Sequence, residues 1–313
     1  MGLLVNGKWK DEWYASKNGE FVREDAQFRG TINPKEATSG RYHLFVSMAC
    51  PWAHRTLIFR VLKELTEHIG VTIVGTDMLE NGWEFTEESH DNPLGDLKFA
   101  HEIYTANDKN YSGRVTVPIL WDTQENTIVS NESADIIRIL NTAFNTLTGN
   151  TLDFYPEDLR TNINILNDRI YNTVNNGVYR AGFATQQNAY ESAYDALFET
   201  LDFLDMRLST QRYLMGDRLT EVDWRLFTTL IRFDAVYFGH FKTNKKRIED
   251  YLHLSHYIRD LYQIEGIAET CNFEHIKRHY YFSHTMINPT QVIPKGPVLD
   301  YMRKHNRSHI DQV

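Results

Sequence analysis

The sequence predicts an α/β domain, assembled from a strand–helix–strand half and a strand–strand–helix half, followed by an all-helical domain. Three observations predict it. Apolar, β-rich runs alternate with helical periodicity only in the first half of the chain. Past Pro156 no convincing strand pattern occurs, while helical spacing recurs through residues 159–176, 187–208, 223–237, 251–263 and 273–281. A chain of 313 residues is also long enough for two domains that each bury a core.

Residues 1–40 mix Gly, Asn, Lys and acidic residues with scattered aromatics and read as an irregular N-terminal extension. Residues 41–47 (RYHLFVS) form the first strand. From Trp52 to Leu65, the residues Leu57, Ile58, Val61, Leu62 and Leu65 recur at helical spacing. Pro51 suits the first helical turn, where no N–H is needed, and Gly70 is expected to end the helix. Residues 71–74 form the second strand; residues 77–112 are polar and loop-like, with one short helix near residues 101–104. Residues 115–121 (VTVPILW) form a strand whose proline is tolerated if Pro118 starts it in the cis form. A short strand at 127–129 follows, and Asn131, Glu132 and Ser133 open a helix carrying Ile136, Ile137 and Leu140. This order is thioredoxin-like. The expected division is an extension over 1–40, a thioredoxin-like domain over 41–146, a polar linker around 145–155, an all-helical domain over 156–287 and a tail over 288–313 with Pro289, Pro294 and Pro297.

Composition removes several function classes. Lys and Arg number 33 against 42 Asp and Glu, a net charge of −9, which argues against a non-specific nucleic-acid binder. Two cysteines exclude a disulfide framework and a multi-cysteine metal centre. No apolar run approaches the roughly 18–20 residues of a membrane helix, and the start (MGLLVNGKWKDEW) lacks a signal-peptide pattern. A cytosolic, reducing compartment is the expectation. The spacing of Gly2, Gly7 and Lys8 imitates a phosphate loop, but Trp9 stands where Ser or Thr is required. His275 with His279, and His253 with His256, are pairs without a third ligand, so no metal and no nucleotide is expected. The run Lys245, Lys246 and Arg247 reads as a solvated face.

Cys50 carries the strongest chemical signal. It follows an apolar strand and immediately precedes a helix with proline in its first turn. Unpaired N–H groups and the positive end of the helix dipole favour a thiolate there. Helix-start cysteines fall from an ordinary pKa of about 8.5 to about 3.5–7.5. His54 and Arg55 can add positive charge. Three residues on stands Ala53 and not a second cysteine, so the site cannot resolve a mixed disulfide internally. It needs an external thiol, of which glutathione is the abundant cytosolic example. Cys271, in the helical half, reads as structural.

At this point the chain resembles a known family. The run MACPWAHR at 48–55, GWEF at 82–85, RVTVPILWD at 114–122, and Asn131, Glu132 and Ser133 resemble the glutathionyl-hydroquinone reductases, the Xi-class glutathione transferases. So do NGVYRAGFA at 176–184, RFDAVY at 232–237 running into His240, Phe241 and Lys242, and His279, Tyr280 and Tyr281 with Ser283 and His284. The resemblance spans about residues 9–294 and implies the glutathione transferase architecture. Thr243 departs from it, since a cysteine often follows Phe-Lys in relatives.

The resemblance implies a division of labour. Cys50 is the nucleophile. Val117 and Pro118 pair with the cysteinyl part of glutathione as an added strand would. Ser133, at a helix start, takes the γ-glutamyl carboxylate and Glu132 the γ-glutamyl ammonium, although Ser133 or Asn131 also reads as a helix cap. Trp83 and Arg114 hold the glycyl end, Trp83 by packing or its indole N–H, with simple core packing as its alternative, and Arg114 by a guanidinium–carboxylate pair. Tyr179, Tyr237 and Tyr280 line the pocket for a flat phenolic ring. The implied reaction reduces S-glutathionyl-hydroquinones, with glutathione as co-substrate and a homodimer as the working form. An Omega-like thioltransferase or dehydroascorbate reductase would use the same cysteine, and a non-catalytic glutathione-binding protein would keep the fold without the thiolate.

Overall fold

The computed structural model describes residues 2–87 and 89–308. The N-terminal extension is irregular over residues 22–40 and carries two hairpins before them. Leu3–Val5 (β1) and Lys8–Lys10 (β2) form a hairpin, as do Ser16–Lys17 (β3) and Glu20–Phe21 (β4). Each turns through an Asn-Gly pair with left-handed backbone: Asn6 and Gly7 at φ 48° and 70°, Asn18 and Gly19 at 54° and 81°. Such pairs match the twist of two-residue hairpins.

The central sheet follows the expected order with shifted ends. Tyr42–Val46 (β5) is buried at every position, as a strand covered on both faces should be. Pro51–Leu62 (α1) follows, then Gly70–Ile73 (β6), parallel to β5. The helix stops well before Gly70. Glu64 takes φ 56°, and the Arg60 side chain donates to the Thr66 and Ile69 carbonyls, closing the chain into a turn. The stretch expected to be mostly loop contains a hairpin, Met78–Leu79 (β7) with Gly82–Trp83 (β8), and the helix His101–Asn107 (α2). Gly113–Arg114 (β9) pairs with β1. Val117–Pro118 is cis, and the strand proper is Ile119–Asp122 (β10), beside Thr127–Ser130 (β11). The sheet order is β11-β10-β5-β6, antiparallel except for β5 with β6. Ser133–Thr142 (α3) completes the ββα half, and a short helix, Asn145–Thr148 (α4), occupies the start of the expected linker.

Arg41 clamps the end of the central strand pair, β5 and β10. Its guanidinium donates to both Asp122 oxygens, with the shortest contact at 2.6 Å and both groups largely buried. Burial pushes the Asp122 carboxyl up, but Arg41 and the N–H groups of Glu125 and Gln124 outweigh it and hold the pKa below the ordinary value. This stabilisation is present above the unfolded carboxylate pKa and is lost as pH falls through the lower folded value. Asp122→Asn is expected to lower Tm at neutral pH and to leave a smaller difference from the parent below about pH 3. Melting both proteins across that range checks it.

The helical half comprises Arg160–Ile170 (α5), Gly177–Gly182 (α6), Gln187–Arg207 (α7), Glu221–Arg232 (α8), Phe238–His240 (α9), Leu254–Tyr262 (α10) and Phe273–Ser283 (α11). Two π-helical turns interrupt it, Tyr171–Asn175 and Phe233–Tyr237, where helical spacing alone predicts unbroken α-helix. Every residue of α8 is buried. Asp223 in its first turn accepts from the Thr220 and Leu214 N–H groups and from the Tyr257 hydroxyl.

The chain divides into two compact units that interleave in sequence. One holds Met1–Tyr14, Arg23–Leu152 and Glu274–Ser283; the other holds Ala15–Val22, Asp153–Phe273 and His284–Val313. Most of α11 belongs to the sheet-containing unit and β3–β4 to the helical one. The described tail is irregular in backbone yet anchored within the second unit. Tyr301 stacks on Phe273 at 5.7 Å, and buried Arg307 donates to the Leu208 and Arg212 carbonyls at 2.8 Å. No described helix is long and apolar enough to cross a membrane.

Candidate active site

Cys50 is the N-cap of α1. The β5 strand delivers it, and the chain turns at Ser47, whose carbonyl accepts from the Cys50 N–H at 3.1 Å. The Cys50 backbone is extended (φ −75°, ψ 120°), and its carbonyl accepts the first helical bond from His54 N–H at 3.0 Å. The Ala53 N–H donates to Sγ at 3.5 Å. No acidic residue stands in the first turn of α1. A half-buried sulfur at a helix start that faces a backbone N–H is in a setting that favours the thiolate. As a thiol, it donates to the Val117 carbonyl at 3.5 Å. The cysteine thus lies directly against the Val117–Pro118 segment that leads into β10.

The neighbouring cations are committed to local structure. Arg55, on α1 and fully buried, donates to Ser133 Oγ at 3.3 Å and stacks on the Trp52 ring at 4.6 Å. Arg23 lies over the same ring at 5.0 Å. Arg55 therefore ties the cysteine helix to the start of α3.

Glu132 and Ser133 form that start. Glu132 is the N-cap and accepts from the Ala134 N–H at 2.9 Å, while the Ser133 hydroxyl is 3.4 Å from Glu132 Oε1. The capping role read for Ser133 or Asn131 falls to Glu132 instead, because its carboxylate reaches the exposed N–H and Ser133 is already inside the helix. A carboxylate, a hydroxyl and a guanidinium meet at one helix start, a donor and acceptor set that suits an amino acid's ammonium and carboxylate.

Tyr104 organises this half of the site and was not legible in the sequence. Its fully buried hydroxyl donates to the Thr116 carbonyl at 2.9 Å and accepts from Asn131 Nδ2 at 3.1 Å. One phenol on α2 fixes the residue before Val117 and the residue before Glu132. The only local hint was the short helix expected near residues 101–104.

The other expected residues take differing positions. Trp83 is buried and stacks on His279, with centroids 4.6 Å apart and planes at 22°. His279 Nδ1 is 3.1 Å from the Thr76 carbonyl, so that nitrogen carries the proton, and burial pushes the imidazole down to a pKa of about 3. Arg114 anchors the N-terminal segment: it donates to Glu24 at 2.9 Å and to the Glu12 and Trp13 carbonyls, and lies over the Tyr14 ring at 4.3 Å. This is a second task for a residue expected to hold a glycyl carboxylate. Tyr280 belongs to the first unit, buried and edge-on to His279. Tyr179 and Tyr237 belong to the second unit, with rings 6.1 Å apart and both against Phe241. Tyr179 follows one π-helical turn and Tyr237 ends the other. Cys271 is half-buried by exposure, and desolvation of its thiol raises the pKa to about 11, which suits a structural thiol.

Comparison with known proteins adds four findings. Residues 49–143 match the glutathione S-transferase N-terminal domain model, and residues 187–260 match the C-terminal domain model. The chain is 51% identical to the glutathionyl-hydroquinone reductase YqjG of Escherichia coli, over 98% of both chains. The glutathione-bound structure of YqjG superposes with a TM-score of 0.90 at 48% identity, covering 97% of this chain and 99% of that one. A Xi-class glutathione transferase structure from Natrialba magadii gives a TM-score of 0.92 at 44% identity, covering 99% and 97%.

Proposed function

We propose, for a chain that belongs to the glutathione transferases and within them to the Xi-class glutathionyl-hydroquinone reductases, that it strips glutathione from S-glutathionyl-hydroquinones. The observation that carries the reading is Cys50 at the N-cap of α1, against Val117 and without a second cysteine at position 53. Ordinary glutathione transferases activate glutathione with a hydroxyl and add it to an electrophile. A cysteine in that place supports removal.

The steps balance as a thiol exchange. The Cys50 thiolate attacks the sulfur of the glutathionyl group and the carbon–sulfur bond breaks. The bonding pair stays on the ring carbon, which takes a proton and leaves as the hydroquinone. Tyr179, Tyr237 or Tyr280 supplies that proton or holds a keto tautomer of the ring. Cys50 is then joined to glutathione in a mixed disulfide. The thiolate of a second glutathione attacks the glutathionyl sulfur, releasing oxidised glutathione and regenerating the Cys50 thiolate. The net change consumes one conjugate and one glutathione.

Within the glutathione site we assign Val117 and Pro118 to the cysteinyl backbone, Ser133 and Glu132 to the γ-glutamyl end, and Trp83 and Arg114 to the glycyl end. The working form is a cytoplasmic homodimer. Incubating the protein with a glutathionyl-hydroquinone and excess glutathione should release free hydroquinone, followed by chromatography. Absence of release, together with turnover of a low-molecular-weight mixed disulfide, would move the activity to an Omega-like thioltransferase.

A further inference from the structure

The geometry points to His279 as a positioning residue that sets the Trp83 indole for glutathione. The inference rests on the reading of Trp83 as a glutathione contact. Three residues of α11 grip Thr76, Asp77 and Met78, the two residues ahead of the β7–β8 hairpin and the first residue of β7. Arg278 forms a bidentate pair with Asp77, both contacts at 2.7 Å. His279 Nδ1–H donates to the Thr76 carbonyl at 3.1 Å. Ser283 Oγ accepts from the Met78 N–H at 2.9 Å. The chain then reverses through Glu80 and Asn81 and brings Trp83 back onto the imidazole of His279.

The indole is held by distinct contacts on its backbone and its ring. Its carbonyl accepts from the Ala100 N–H at 2.9 Å, which fixes the main chain. Its ring plane lies nearly parallel to the His279 imidazole. The hydrogen bond to Thr76 in turn fixes the imidazole plane, so His279 sets the orientation of Trp83 while its own orientation is set by the segment that carries Trp83. Neither Trp83 nor His279 exposes more than 6% of its surface, which leaves little freedom for either ring to rotate alone. A stack of this kind is worth about two- to tenfold in an equilibrium constant beyond its buried area.

The test measures glutathione binding to the full chain carrying Cys50→Ser, so that binding occurs without exchange, by isothermal titration calorimetry. Trp83→Leu and His279→Asn are each expected to raise Kd for glutathione about three- to tenfold. The double substitution is expected to do no more than the larger single one, because His279 acts through Trp83. His279→Phe keeps a ring on the indole but cannot donate to the Thr76 carbonyl, so it is expected to recover only part of the loss, with a Kd between those of the parent and His279→Asn. Should His279→Asn not fold, His279→Leu makes the same comparison with an apolar side chain. A His279→Asn protein that binds glutathione normally while Trp83→Leu binds weakly would overturn the inference alone. So would strictly additive losses, or a His279→Phe loss as large as that of His279→Asn. Normal binding by Trp83→Leu would instead overturn the reading of Trp83, and His279 would have nothing to act through.

Discussion

Replacing Cys50 by Ser is expected to reduce hydroquinone release at least about a thousandfold, a barrier increase of roughly 4 kcal/mol. The size follows from what the sulfur supplies. The Ala53 N–H and the start of α1 stabilise a charge on Sγ. A serine hydroxyl at the same place is far too weakly acidic to be ionised by that stabilisation, and it cannot form the mixed disulfide through which turnover passes. The loss should fall on kcat, with glutathione binding preserved, because the backbone of Val117 and the α3 start are untouched. Mass spectrometry provides an independent readout. The parent, treated with a glutathionyl-hydroquinone in the absence of free glutathione, should gain one glutathionyl group at Cys50, and the Cys50→Ser protein none. A serine variant that retains more than a tenth of the activity would remove Cys50 from the mechanism. Modification at Cys271 would be equally contrary, since burial holds that thiol protonated.

What made Cys50 readable in the sequence is that its setting is local. A strand, a cysteine, a proline and a helical period lie in one continuous stretch, and all four are present in the structure. The same holds for β10, β11 and α3. The shortfalls have identifiable causes. The β1–β2 and β3–β4 hairpins have strands of two or three residues, too short to show alternation; their signal was the Asn-Gly pairs at 6–7 and 18–19. Gly70, a usual helix stop, predicts the end of α1, whereas Glu64 takes the left-handed conformation and Arg60 closes the turn. Tyr104 acts through Thr116 and Asn131, 12 and 27 residues away, and no spacing rule reaches them. The π-helical turns before Tyr179 and at Tyr237 preserve helical composition and differ only in hydrogen bonding. Arg114 shows a different gap: a motif can identify a cation without revealing that Glu24 and the N-terminal segment also bind it.

The protein is expected to lose stability steeply as pH falls from about 6.5 to 4, through three histidines buried in the neutral form. His43 and His240 are each held at a pKa of about 4 and His279 at about 3, in every case chiefly by burial. None exposes more than 6% of its surface. The neutral rings have partners that suit them: His43 Nε2 lies 2.8 Å from Thr72 Oγ1, His240 Nε2 lies 3.2 Å from His284 Nδ1, and His279 donates to Thr76. A depressed folded pKa means that the unfolded chain binds protons first. The stabilisation is therefore complete above the unfolded value of 6.5 and drains away as pH falls toward the folded values. Each of His43 and His240 accounts for roughly 3 kcal/mol at the acid limit and His279 for somewhat more. Together they are comparable with the whole stability of a typical protein, roughly 5–15 kcal/mol. Paired carboxylates such as Asp122 lose their contribution only in a lower window, so the two groups separate along the pH axis. Thermal melts at intervals from pH 7.5 to 4 should show Tm flat above 6.5 and falling below it, with a slope to which His101, His256 and His305, also lowered by burial, add and from which the raised carboxyls of Asp223 and Asp234 subtract. His43→Gln should remove about one proton from that slope while leaving the carboxylate region unchanged. A Tm that holds level down to pH 4 would mean that these imidazoles accept protons in the folded state, and that the buried neutral rings are not what sets the acid limit.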